Sequence, residues 1–222
     1  MNTDLYQPYP WVFRNATMTV VSLECDEQAL SELLPEGLDL KRPANVVAWA
    51  MRCEGIAGVG SYTELMLNVL AVKDGKTVST TPFIYVDNDA AMASGREVLG
   101  VPKRIATFDQ QMVNDQIITR ATRSGVDFAT LGMTMDREGS LEDRSKFKSA
   151  LEMPSLNLVN GSLVRGTMEA TVHRVIHGRG FIDARPSASD PLYLLRPQAV
   201  SATYLQCDLR LIPPTPVEDV EQ

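Results

Sequence analysis

Two adjacent cations sit inside an otherwise apolar stretch, GREVLGVPKRIA (95–106), where Val101 and Pro102 lead into Lys103 and Arg104. Two readings are open. Pro-Lys-Arg can form a solvated turn, or it can present a lysine whose amine attacks a carbonyl. A free lysine ionises near pH ~10.4, so well under ~0.1% of it is the neutral nucleophile at pH 7. Burial among apolar groups disfavours an ammonium, and a neighbouring cation such as Arg104 disfavours it further. On a strand, however, successive side chains point to opposite faces, so adjacency in sequence does not ensure that Arg104 meets Lys103.

Other groupings carry less chemistry. His173 and His177, the only histidines, are spaced to share one face, but no third metal ligand stands nearby and TVHRVI reads as a strand. No GxSxG elbow occurs, so Ser-His-Asp catalysis has little support. Gly58-Val59-Gly60 resembles part of a dinucleotide fingerprint. Thr63 stands where its third glycine belongs, and a strand pattern follows rather than a helix, so a turn between strands is expected there. Cys25, Cys53 and Cys207 are odd in number and scattered, which suits neither a disulfide framework nor a zinc pair.

The elements that must position these residues are mostly strands. Period-two patterning predicts strands over 17–25, 46–53, 62–72, 82–86, 117–124, 126–135, 167–176 and 201–212. Asp74-Gly75 predicts a hairpin turn, and Gly125 joins another pair. Asp26 is placed to cap a helix over DEQALSELL, and Asn88 to cap DAAMASGREVL. Gly100 ends that second helix and Pro102 keeps it from resuming, which delivers the chain to Lys103. Asp136 to Lys148 reads as a charged connection or exposed helix, and PPTPVEDVEQ at the end as a fraying tail. Many short strands with few helices predict a barrel or sandwich.

Composition sets the bounds. The 222 residues, with no internal repeat, predict a single domain over 1–222. Apolar residues make up 44% and charged residues 22%, enough for a filled core. The net charge of −7 argues against a nucleic-acid partner. The first residues lack the pattern of a signal peptide, and no apolar run approaches the ~18 residues that span a bilayer, so a cytoplasmic protein without membrane contact is expected.

The segment YVDNDAAMASGREVLGVPKRIA (85–106) resembles the acetoacetate decarboxylase family, with its Gly-Arg-Glu helix end and its Pro-Lys-Lys around a Schiff-base lysine. GVGSYTEL (58–65), LLPEGLDL (33–40) and SATYLQCDLRLIPP (201–214) are similar to further family segments, so the likeness covers nearly the whole chain. It implies a mainly β, antiparallel barrel-like fold with a few helices, in homo-oligomers. It also implies that Lys103 forms a Schiff base, that Glu64 is the pocket glutamate, and that Arg104 replaces the family's second lysine while keeping its charge. Without the resemblance, Glu64 is an ordinary strand carboxylate. Tyr62 is a candidate proton relay or a packed strand tyrosine, and Val101 a candidate pocket residue.

The departures bear on substrate. Ala16 stands where family decarboxylases carry an arginine, with Arg14 as a substitute if the register shifts, and Trp49 stands at the position of a second glutamate. That exchange predicts a pocket poorly suited to gripping acetoacetate's carboxylate. The resemblance therefore implies a cofactor-free lysine-dependent lyase acting on a small ketone or keto acid, most directly by β-keto acid decarboxylation. Schiff-base aldol, dehydration or cyclisation chemistry on pyruvate-like substrates is the alternative. A non-catalytic barrel binding a small apolar ligand is the alternative from another class.

Overall fold

The computed structural model describes residues 8–56, 59–188 and 190–217. Twelve strands and three helices follow in order: β1 (Trp11–Glu24), α1 (Glu27–Ser31), β2 (Asp39–Leu40), β3 (Val46–Ile56), β4 (Gly60–Lys73), β5 (Lys76–Val86), α2 (Asp89–Val98), β6 (Lys103–Ile105), β7 (Thr107–Val113), β8 (Gln116–Arg123), β9 (Val126–Glu138), α3 (Leu141–Leu151), β10 (Ser155–Val159), β11 (Ser162–Ala184) and β12 (Gln198–Pro216). All eight strands expected from alternation are present. The unexpected ones are β2, β6, β7 and β10.

The hairpin turns follow the local chemistry. Asp74-Gly75, Ser124-Gly125 and Asn160-Gly161 each hold two consecutive positive φ angles, the arrangement that matches the twist of flanking strands. Asp26 accepts a hydrogen bond from the Ala29 N–H at 3.0 Å, and Asn88 accepts one from Ala91 at 2.9 Å, so both expected caps are in place. Ser140 and Asp143 form a reciprocal capping box at the start of α3.

Seven strands close on themselves. The sheet runs β10-β5-β4-β3-β1-β12-β11, and β10 pairs with β11 as well as with β5, which completes a ring. All contacts around it are antiparallel except the single parallel bridge Ser155↔Ser79. Beyond β11 the sheet continues through β9, β8 and β7. That extension folds over the outside of the ring, burying Phe128, Leu131 and Met133 against Leu65, Leu67 and Tyr85. A second cluster, with Trp11, Phe13, Met18, Trp49 and Met51, lies on the inner side. Alternate residues of each ring strand therefore serve opposite faces.

Two expectations are met only in part. The charged segment after Asp136 opens as strand, since β9 runs on to Glu138, and then forms the exposed helix α3, which turns only Phe147 and Leu151 well inward. An i, i+4 spacing gives that charged helix one narrow apolar face. The first part of the tail is ordered, because β12 reaches Pro216 opposite Val164 on β11; residues 218–222 lie outside the described residues. Gly58 does too, so the expected turn there is described only from Val59 onward. Among the described residues no helix is long and apolar enough to cross a membrane.

Candidate active site

The ring encloses a cavity of about 390 Å³. Its wall is built by period-two selection: Val47, Trp49 and Met51 from β3, and Tyr62, Glu64, Met66 and Asn68 from β4. Among the described residues, the only charged side chains lining it are Lys103 and Glu64. The Lys103 Nζ donates to Glu64 Oε2 at 2.6 Å, and the two residues are 6% and 2% exposed. Two ions are removed from bulk water here. The arrangement persists because each supplies the other's charge at hydrogen-bond distance.

The route of the chain to this point explains the local sequence. Asn88 starts α2, Gly100 turns the chain with φ +68, and Lys103 opens β6, which pairs in parallel with β5 through Ile84. A side chain on Gly100 would also meet the Leu158 carbonyl at 2.6 Å, so the position demands glycine twice over. Gly95 has a different role. A Cβ there would lie 2.5 Å from Lys103 Cδ and 2.6 Å from Cε, so the bare helix backbone is the channel through which the lysine stem reaches Glu64. A glycine inside a helix costs ~1 kcal/mol against alanine, and that cost was the available sequence signal.

Tyr62 presents its ring: the Lys103 amine lies over it, 5.4 Å from the centroid. Its hydroxyl is engaged by the Cys53 sulfur, and burial, then the Glu64 charge, push its pKa well above the ordinary value. Tyr62 thus contributes a ring face beneath the amine and keeps its phenol protonated. Trp49 and Val101 line the cavity as expected.

Two expected residues are elsewhere. Arg104 lies on the opposite face of β6 from Lys103, and its Nη1 bonds Asp190 Oδ1 at 3.1 Å. Asp190 also pairs with Arg123 at 3.3 Å. Strand alternation thus sends the second cation outward, where it fastens β6 to a buried carboxylate. Arg14 is exposed and does not line the cavity. A bulge between Phe13 and Ala16, with Asn15 at φ 53, turns both Arg14 and Asn15 out and returns Ala16 to the interior. The histidines are separately occupied: His173 pairs with Asp208 and His177 with Asp143, each at 3.3 Å.

The sequence profile described as Acetoacetate decarboxylase (ADC) matches residues 2–220. The chain belongs to the acetoacetate decarboxylase family. It is 27% identical over 224 residues to the acetoacetate decarboxylase of Chromobacterium violaceum, covering 95% of this chain and 89% of that protein. With acetoacetate decarboxylase 2 of Mesorhizobium japonicum it shares 28% over 158 residues, 71% of this chain but only 59% of the relative's length. The solved acetoacetate decarboxylase of Legionella pneumophila superposes with a TM-score of 0.88 at 25% identity, over 99% of this chain and 91% of that one. The enduracididine biosynthesis enzyme MppR, complexed with pyruvate, gives 0.80 at 18% identity over 97% and 93%, a likeness of fold alone.

The cavity and its surroundings also hold residues that sequence reasoning passed over. Asn68, Thr81 and Asn157 line the same cavity from three strands. Asp190 has no local signal at all, since it is 86 residues from the arginine it holds.

Proposed function

We propose that this chain is a lysine-dependent lyase in which Lys103 forms a Schiff base with a ketone or keto acid. The observation that carries the reading is the buried Lys103–Glu64 contact at the wall of an otherwise uncharged cavity. Glu64 is placed to take a proton from the ammonium, leaving a lone pair on Nζ for attack on the carbonyl carbon. The carbonyl oxygen leaves as water and the protonated imine remains. For a β-keto acid, the bond to the carboxylate then breaks, CO2 departs, and the electron pair moves onto the imine nitrogen as an enamine. A proton returned to carbon and hydrolysis of the imine release the ketone and restore the lysine.

The cavity favours that bond cleavage. A carboxylate bound among Trp11, Trp49 and Met66 would leave water without meeting a cation other than the imine itself, and CO2 has no charge to desolvate. Asp190 and Arg104 hold β6 in place from behind. The imine supplies the electron sink, so no metal or organic cofactor enters the scheme. The whole chain acts as one catalytic domain, in the cytoplasm and as a homo-oligomer in the manner the family resemblance implies.

A second reading rests on the fold likeness to a pyruvate-bound enzyme. In it the enamine formed from a pyruvate-like substrate attacks an aldehyde, and dehydration or cyclisation follows. Incubation with acetoacetate or pyruvate, borohydride reduction and peptide mapping test the shared step. A reduced adduct on Lys103 is expected, with CO2 release from acetoacetate supporting the first reading. An adduct only with pyruvate, and product formation on adding an aldehyde, would select the second. Unchanged ligand binding by Lys103→Ala with no adduct from any keto acid would leave a binding barrel.

A further inference from the structure

The cavity extends well past the lysine. Inward-facing residues form successive rungs across β3 and β4: Met51 opposite Glu64, Trp49 opposite Met66, and Val47 opposite Asn68. On β1, Val20 stands beside Trp49 and Ser22 beside Val47. The middle rung is apolar and the next one is polar.

That polar rung is built, not incidental. A register shift between Leu67 and Val69 breaks the β4–β5 ladder near Thr81. Asn157 Oδ1 accepts the Thr81 N–H at 3.2 Å, and the Thr81 hydroxyl donates to Asn68 Oδ1 at 2.6 Å. Both amide oxygens are therefore used, which orients the two amide nitrogens. Among the described residues Asn68 Nδ2 has only the Met66 sulfur at 3.7 Å, a weak acceptor. Asn157, 5% exposed, has no partner for its amide nitrogen among the described residues. The indole N–H of Trp49, 9% exposed, is likewise unpartnered among the described residues. The amide nitrogens of Asn68 and Asn157 therefore stand at the cavity wall without a strong acceptor, which an occupant can supply.

We infer that the cavity takes a keto acid longer than acetoacetate, with an apolar middle and a neutral hydrogen-bond acceptor at its far end. The inference rests on the Lys103 reading given above. The carbonyl carbon meets Lys103, the middle lies along Val20, Trp49, Met66 and Leu205, and the far oxygen receives the amide N–H groups of Asn68 and Asn157. Size supports the assignment. A seven-heavy-atom keto acid, allotted the ~30 Å³ of a liquid water for each heavy atom, fills only about half the cavity. From Glu64 to Asn68 the strand advances ~13 Å, more than a four-carbon acid can bridge. No cation stands at the far end among the described residues, so the acceptor is a carbonyl, ether or amide oxygen and not a second carboxylate.

The test is decarboxylation kcat/KM across 3-oxo acids of four, six and eight carbons, together with an eight-carbon acid carrying a second ketone near its far end. The value is expected to rise with length, and the far ketone to add about tenfold. In Asn68→Leu the ratio between the two eight-carbon acids should fall about tenfold. Alongside, tryptophan fluorescence of Lys103→Met, which cannot form an imine, is titrated with the corresponding diketone and monoketone; tighter binding of the diketone is expected. Rates that are flat with length or best for acetoacetate, while borohydride still traps Lys103, overturn this inference and leave the lysine chemistry standing. No adduct from any keto acid, with the diketone still preferred by Lys103→Met, overturns the lysine chemistry and retains the elongated site. A product joining pyruvate to an added aldehyde, with no length preference, overturns the inference by assigning the far half to a second substrate.

Discussion

Strand β4 serves two regions at once. Leu65, Leu67 and Val69 are at most 2% exposed and pack in one cluster with Phe128, Leu131 and Met133 of β9, while Ala71 packs with Leu38, Val78 and Leu156. The residues between them, Glu64, Met66, Asn68 and Leu70, face a void. Strand β3 repeats the division, with Val46, Ala48 and Ala50 on the packed face and Val47, Trp49 and Met51 on the open one. On β3 and β4 the packed face carries small and aliphatic groups, all of them buried. The open face uses larger side chains standing around the cavity, and it alone holds the buried Lys103–Glu64 pair. Because neighbouring residues on one strand belong to different faces, stability and chemistry should respond separately to substitution.

The largest expected effect is on the open face. Lys103→Met removes the nucleophile, so the borohydride adduct should vanish and turnover fall by at least ~1,000-fold. It also leaves Glu64 without its counter-charge. The double variant Lys103→Met/Glu64→Gln should therefore be more stable than the single one by about 2 kcal/mol, measured by denaturant unfolding. Equal stabilities would mean that cavity water, and not the lysine, solvates the carboxylate.

The packed face should show the converse. Leu67→Ala opens a hole where none existed and is expected to cost about 3 kcal/mol, lowering Tm by roughly 6–12 °C. Adduct yield on Lys103 should be unaltered. Met66→Ala, one residue away, enlarges a void already present and should cost under ~1 kcal/mol. A thermal melt of the pair decides the matter: similar losses for the two would show that the faces are not energetically distinct.

How much of this division was legible follows from where each signal lives. The ring strands alternate, so the sequence shows their two faces without saying which face is hollow. β7 was not read because its exposed edge carries no buried alternation. Lys103 and Glu64 could be named through short local segments that resemble a family. The partner of Arg104 could not, since Asp190 approaches through the fold. Asn157 meets Thr81 across 76 residues for the same reason. Arg14 failed as a pocket candidate because a bulge at Asn15 re-phases β1, and a bulge has no alternation to betray it.

Gly95 is where the two regions are joined by a helix, and its substitution is expected to act on chemistry alone. Gly95→Ala improves helix propensity by up to ~1 kcal/mol while driving a methyl into the Lys103 stem. Stability should be nearly unchanged and kcat/KM should fall about tenfold, as the amine is displaced from Glu64. A large drop in Tm instead would show that the helix, and not the flexible lysine, gives way.

The smallest effect concerns one cysteine on each face. Burial pushes the Cys25 and Cys207 thiols up from 9.0 to about 12. Cys25 packs against the solid cluster, whereas Cys207 belongs to the inner one, with its Sγ 3.7 Å from the Met18 sulfur. Between pH about 9 and about 12 the unfolded chain releases these protons while the native chain keeps them. The native state then binds more protons, so stability should decline as pH rises through that window. The decline should be shallower in Cys25→Ala/Cys207→Ala, as read from denaturant midpoints. Alkylation needs the thiolate, so at neutral pH both native thiols should react only as fast as local opening exposes them. That makes their relative rates a direct comparison of the two faces. If Cys207 labels faster than Cys25 despite its deeper burial, the hollow face opens more readily than the packed one. Equal rates would mean that the ring opens as a unit, with the cavity conferring no local freedom on its wall.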